Sequence, residues 1–514
     1  MKKIKIYSII LCILFSVKTL HSQVSEKYKL SEPVLIELNR LGEAYQILDQ
    51  FAGKVWDGWN DYMNYPFLFT FQNGLRVLIG HPAPPSVFVP YPDLKIRNLT
   101  IYLDTTNLNN FEVKQPLKSG GGPIPIGTYN NKPVIVVDIR ITRANPSLSE
   151  NVTHGKAEND ILTFIHELMH CYQPQILKFQ YGNLRINTDL NIALYSDIEG
   201  QALLKAYYQN SLEETLPFLK DFCIARSIKM KDLTKSEINS YECDEFREGE
   251  AVYSEVIILQ NLKKGFKSSQ LTDLDPAYNQ FTYADAFIDI YLNYLKSSSG
   301  STLDIYNKNY WYGCFEALLL QRYFPGWQKE VENQVWLDNI IRKRVNITAK
   351  DSLFALERFQ NIYNLDSLKA KHGAIISGRD DAYKFFQKRK GRAYIINTKP
   401  VSQSLLYSVD RSAKNYSLGR MNMIPDGLGK VKFDSVSITF NPVPAEINEL
   451  YYVKLIDTDS DKHKKPYKIK YESKDANGFY YNAIITTPLF TLKAPKISIS
   501  ESKNRIKFII HSRV

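Results

Sequence analysis

The chain has no C-x-x-C pair, no G-x-S-x-G elbow, and no glycine-rich loop followed by a phosphate-binding lysine. Each absence removes a chemistry. Without closely spaced cysteine pairs there is no thiolate zinc knuckle and no dithiol redox centre. Without the elbow there is no setting for a serine nucleophile of the hydrolase type. The run S-G-G-G-P-I-P-I-G at 119–127 reads as a loop with no nucleotide role. Cysteine is scarce, five in 514 residues, and setting aside Cys12 leaves Cys171, Cys223, Cys243 and Cys314. That is too few for a disulfide scaffold, and Cys223 with Cys243 is merely the pair closest in sequence. There is no internal repeat, no low-complexity tract and, beyond the first residues, no apolar run long enough for a membrane span. Positive charge is spread thinly. The formal net charge of +11 falls to +7 once the four lysines of residues 1–22 are set aside. No basic helix concentrates it, which argues against nucleic acid as a partner.

The N-terminus does carry a signal. M-K-K-I-K leads into an apolar run from Ile6 to Val17, and T-L-H-S-Q closes it with small Ser22. This is the layout of a secretory signal peptide, with cleavage expected after Ser22 and a periplasmic or extracellular destination. Leu11 before Cys12 is unlike a lipoprotein signal, so no lipid anchor is expected.

Organisation changes twice along the chain. Residues 33–55 have helical spacing, through Leu35, Leu38, Leu41, Tyr45 and Leu48, and short strand-like runs then follow: F-L-F-T-F, L-R-V-L-I, L-T-I-Y-L and P-V-I-V-V-D-I-R-I. From about 157 to 390 apolar residues recur at three and four, over 159–172, 194–209, 212–230, 236–263, 281–295, 309–323 and 379–390. From Arg392 alternating runs such as S-V-S-I-T-F and I-K-F-I-I return, as in an antiparallel sheet with one wet face. The division read from this is a signal peptide at 1–22, a helix plus β-rich region at 23–155, a helical domain at 156–391 and an antiparallel β domain at 392–514.

Within the helical part stands I-L-T-F-I-H-E-L-M-H-C-Y-Q-P-Q. His166 and His170 are four apart, so on a helix both imidazoles leave one face and can share one ion. Glu167 beside them can take a proton from water activated by zinc. Leu162, Ile165, Leu168 and Met169 offer a buried flank, and Pro174 is expected to end the helix. Cys171 projects about 100° from His170 and reads as packing. Gln173 and Ile176 stand where a metzincin would have glycine and a third histidine, so that class is excluded. His81 and His154 lie in loop-like surroundings and read as surface residues.

A catalytic zinc site needs a third protein ligand and an open fourth position. Glu199 in D-I-E-G-Q-A-L-L-K-A-Y and Glu248 in E-F-R-E-G-E-A-V-Y-S-E both share a helix face with small or apolar residues. Each therefore points inward, where a carboxylate needs a cation or a metal.

The segment R-E-G-E-A-V-Y-S-E resembles the glutamate helix of gluzincin metallopeptidases of the aminopeptidase type. By that resemblance Glu248 is the third zinc ligand, with Glu199 as the alternative. The same family has a Y-x-x-G segment before a later apolar helix. Here Tyr310-Trp311-Tyr312-Gly313 corresponds, making Tyr310 the group that stabilises the oxyanion and Tyr312 its rival. The likeness covers only short motifs within 163–320, and the G-x-M-E-N segment that holds a substrate amine is absent. The sequence pattern reads as an α+β chain with a mainly helical middle between β-rich ends, and the likeness implies that this middle is zincin-like and catalytic. The implied activity is that of a Zn2+ hydrolase acting on a peptide or protein substrate. The competing expectation is a non-catalytic envelope protein whose β-rich ends bind a polymer or protein, with a vestigial or structural zinc site.

Overall fold

The computed structural model describes residues 30–71, 75–104, 124–129, 132–138, 156–178, 188–266, 271–298, 305–397, 416–418, 421–424, 430–433, 436–441, 444–448, 452–459, 466–502 and 504–511. The signal-peptide reading and His154 lie outside these residues. Elements run in the order α1 (Glu32–Val55), β1 (Phe67–Thr70), β2 (Arg76–Ile79), β3 (Phe88–Pro90), β4 (Ile101–Asp104), β5 (Ile124–Tyr129), β6 (Lys132–Asp138) and α2 (Lys156–Ile176). Helices α3 (Leu190–Tyr207), α4 (Leu212–Met230), α5 (Lys235–Leu262), α6 (Leu271–Leu274), α7 (Ala284–Ser298) and α8 (Ile305–Tyr323) follow. Five more are α9 (Trp327–Glu332), α10 (Leu337–Val345), α11 (Ala349–Leu353), α12 (Ala355–Tyr363) and α13 (Leu365–Lys388). Twelve strands, from β7 (Arg392–Asn397) to β18 (Arg505–Ile510), complete the described chain. The protein is α+β, with a helical middle between strand-rich N- and C-terminal regions. Among the described residues no helix is long and apolar enough to cross a membrane.

Two compact units divide the chain. The first comprises Met1–Phe179, Arg247–Leu292 and Gln328–Gln334; the second comprises Gln180–Phe246, Asn293–Trp327 and Val335–Val514. The helical middle contributes to both.

In the first unit six strands form a sheet in the order β3-β4-β2-β1-β6-β5, antiparallel except for β1 beside β6. The run F-L-F-T is buried at all four positions because both faces of β1 are covered. On one face Phe67 and Phe69 meet Phe164 of α2 edge-on, at 5.9 and 5.8 Å between ring centroids. On the other Leu68 packs with Leu78, Phe88, Val134 and Val136. Ile124–Gly127, expected as loop, instead belong to β5.

Helix α1 buries Leu38, Leu41, Tyr45 and Leu48. Its Arg40 holds Asp160 of α2 at 2.5 Å and Asp275 at 2.8 Å. Tyr278 donates to Glu43 (2.7 Å), and the backbone N–H of Asn279 donates to Glu158 in the first turn of α2 (2.5 Å). The segment after α6 thus ties α1 and α2 together and fixes how α2 lies on the sheet. Pro174 does not end α2, which runs on to Ile176. So close to the terminus a proline removes only one helical N–H, and Leu177 N–H still reaches the Gln173 carbonyl at 3.0 Å.

In the second unit a buried ionic cluster sits among the apolar side chains of the helices. Arg226 of α4 is buried among Glu245 (2.8 and 3.0 Å), Glu199 (3.2 and 3.3 Å), Glu316 (3.2 Å) and Asp338 (3.6 Å). Lys308 and His372 both reach Asp197, each at 2.8 Å, joining α8 and α13 to α3. The C-terminal strands form a twelve-stranded sheet that is antiparallel apart from β7 beside β18. That parallel pair departs from the all-antiparallel expectation. It arises because β18 inserts between β17 (Phe490–Ser502) and β7. The core of this sheet stacks Tyr394 on Phe508 and sets Phe490 edge-on to both.

Candidate metal centre

Helix α2 presents His166 and His170 from one face, their rings perpendicular and 4.7 Å apart. Residues 247–262 of α5 belong to the same unit and bring Glu248 to them. Glu248 Oε2 lies 3.5 Å from His170 Nε2 and 3.7 Å from His166 Nε2. One ligand atom from each of the three residues falls within 4.8 Å of the others. Two ligands about 2.1 Å from one tetrahedral ion would sit about 3.4 Å apart, so the carboxylate spacings suit a shared divalent metal.

The far side of each imidazole is also engaged. His166 Nδ1 meets Glu255 Oε1 at 2.6 Å, and Tyr291 donates its hydroxyl to the other oxygen of Glu255. His170 Nδ1 meets Gln173 Oε1 at 2.9 Å, while Gln173 Nε2 donates to the Arg247 carbonyl at 2.6 Å. A carbonyl can only accept, which orients the Gln173 amide and makes His170 Nδ1 the donor. A carboxylate likewise makes His166 Nδ1 a donor. Both Nε2 atoms therefore face the same point, where each offers a lone pair to a metal once it is deprotonated.

Electrostatics separate the two histidines. Burial alone would lower His166, but its hydrogen bonds to Glu248 and Glu255 outweigh that and raise it to about 10. Burial keeps His170 below its usual value. A metal entering here displaces a proton from His166, so protons and metal compete. Glu248 is held well below the carboxylate range; burial opposes this, but His170, His166 and Arg247 prevail.

Glu167 is buried, and its Oε2 has no hydrogen-bond partner. Burial raises it to about 8, opposed by His166 and assisted by Glu248. A buried carboxyl oxygen with nothing to bond is costly unless a ligand completes it. Together with the two oriented Nε2 atoms and Glu248, it fits a site built around a cation and a water.

Glu199 is not a free ligand. Its Oε2 accepts from Lys229 at 2.6 Å and Arg226 at 3.3 Å, and its Oε1 accepts from Arg226 at 3.2 Å. Its inward orientation is balanced by cations of α4. Tyr310 lies on α8, in the second unit, partly buried beside Trp311 with ring centroids 6.4 Å apart. The first unit alone does not supply it. The Y-W-Y-G segment lies inside α8 rather than before it. Tyr312 is fully buried and donates to the Ser196 carbonyl at 2.6 Å, a packing role.

His81 is buried rather than at the surface, with Nδ1 accepting from the Ala83 N–H at 3.2 Å. Cys171, Cys223, Cys243 and Cys314 are buried free thiols, so Cys223 and Cys243 form no bridge. Sequence reasoning passed over Glu255 and Gln173. The signal for Glu255 was present: it stands seven residues after Glu248, two turns along the same helix face. Gln173 follows His170 by three, a spacing at which helical side chains meet. No protein-family model, curated protein or solved structure matches this chain.

Proposed function

We propose that this protein is a zinc-dependent hydrolase that cleaves peptide bonds, with His166, His170 and Glu248 as ligands and Glu167 as general base. The supporting observation is the convergence of the three ligand atoms beside the buried, unpartnered oxygen of Glu167. Two nitrogens and one carboxylate oxygen are a donor set zinc takes in catalytic sites with an open position. Bound there, zinc supplies a Lewis acid that lowers the pKa of water, polarises a carbonyl and by its charge favours the ionised form of Glu167.

The chain's own groups do the rest. Glu167 accepts a proton from the attacking water and returns it to the leaving amine as the C–N bond breaks. Glu255 and Gln173 hold the imidazoles so that neither ring turns away. The gluzincin likeness is part of this proposal.

The test is Glu167→Gln. Peptide hydrolysis is expected to fall by at least a hundredfold while zinc stays bound at one per chain. Unchanged turnover would overturn the mechanism. Purified protein with no affinity for zinc would favour a non-catalytic binding role.

A further inference from the structure

We propose that Arg247 is a positioning residue that holds Glu248 to a single ligating oxygen and so keeps the fourth coordination position open. The inference rests on the reading of His166, His170 and Glu248 as metal ligands.

The two oxygens of Glu248 have different neighbours. Oε2 faces both imidazoles, at 3.5 and 3.7 Å, whereas Oε1 is paired with Nη2 of Arg247. A carboxylate with nothing on its second oxygen can swing to chelate, filling the place where a substrate or water must enter. A catalytic site depends on that place, and a site without it is merely structural. A guanidinium on Oε1 opposes the swing, because chelation would break a charge-assisted hydrogen bond.

Arg247 meets Glu248 through the reach of its long side chain rather than by helix spacing, since adjacent residues project about 100° apart. It directly precedes Glu248 on α5, and its side chain is 19% exposed against 4% for Glu248. The cation stays partly in solvent while it engages a buried ligand, which limits its desolvation. Its main chain serves the same site separately, since its carbonyl fixes Gln173 and through it His170. Replacing the side chain leaves that second arm intact. The substitution therefore isolates the guanidinium's effect on Glu248 from the orientation of His170.

The experiment uses the full chain with cobalt(II) in place of zinc, comparing wild type with Arg247→Ala, Arg247→Gln and Arg247→Lys. Visible absorption reads the coordination number, and titration with acetohydroxamate reads access to the open position. Arg247→Ala is expected to show the weaker absorption of higher coordination and to lose tenfold or more in hydroxamate affinity. Cobalt affinity itself should change much less. Arg247→Lys should recover part of the loss, because it keeps charge but not the planar fork. If Arg247→Ala does not fold, Arg247→Gln, which retains a donor of similar reach, carries the comparison and should lose less than tenfold. Spectra and hydroxamate affinity equal to wild type in the variants would overturn the proposal. Failure of the hydrolase reading looks different: wild type binds cobalt but cleaves no peptide, and the spectra still decide the role of Arg247. Wild type that binds no metal overturns both.

Discussion

His166 Nδ1 lies 2.6 Å from Glu255 Oε1, and Glu255 stands on the same helix as Glu248, two turns farther on. One face of α5 thus supplies both the carboxylate that faces the two imidazoles and the carboxylate that orients one of them from behind. Tyr291 holds the second oxygen of Glu255, so the orienting group is itself fixed.

Glu255→Ala is expected to weaken zinc binding by about 10–100-fold, the usual cost of removing a carboxylate behind a ligating histidine. Glu255→Gln should lose less, since its amide oxygen still accepts from Nδ1. Competition with a chromogenic chelator measures both. An unchanged dissociation constant in Glu255→Ala would remove Glu255 from the site.

Gly200 is a steric requirement of the second unit. A Cβ there would lie 2.6 Å from the Tyr312 hydroxyl oxygen and 2.9 Å from Cε1 of that ring. Gly200→Ala gains up to about 1 kcal/mol in helix propensity. Overpacking against a buried ring costs about 1–3 kcal/mol and is expected to win. Urea denaturation should show net destabilisation, partly relieved by adding Tyr312→Phe. A variant as stable as wild type would mean that the ring moves aside freely.

Glu242 gives stability a pH dependence. Burial, then the nearby charge of Asp338, raises it to about 7, with Arg226 opposing. The folded state therefore binds its proton more tightly than the unfolded chain. The stabilisation is complete below about pH 4.5 and is lost as pH rises through about 7. Allowing for solvent screening, the change is about 1–2 kcal/mol. Glu242→Gln should flatten the stability profile across that window, as read by denaturation at fixed pH steps. An unaltered slope would place the titration elsewhere.

Much of the fold was legible because it is local. The strand-like runs F-L-F-T-F, L-R-V-L-I, L-T-I-Y-L and P-V-I-V-V-D each contribute a strand within the described residues, and 212–230 is helical over the expected span. The short helices α10, α11 and α12 went unread, since nine residues or fewer give too little periodicity to distinguish from loop. Tyr310 lies within the helix that the apolar spacing over 309–323 indicated, whereas the family likeness set its segment before a helix; no breaker in N-K-N-Y-W-Y stops α8 from starting at Ile305.

By itself the sequence determined that His166 and His170 share a face with Glu167 beside them, since four residues on a helix bring side chains together wherever the helix lies. It also made Glu199 and Glu248 inward-facing, and there it stopped. Burial demands a positive partner for each carboxylate but does not say which. Only tertiary structure decided that. Arg226 and Lys229 of α4 neutralise Glu199. Glu248 has Arg247 on one oxygen and turns the other to the two imidazoles. Two carboxylates alike in local sequence thus have different roles, because the cations that meet them come from different parts of the chain.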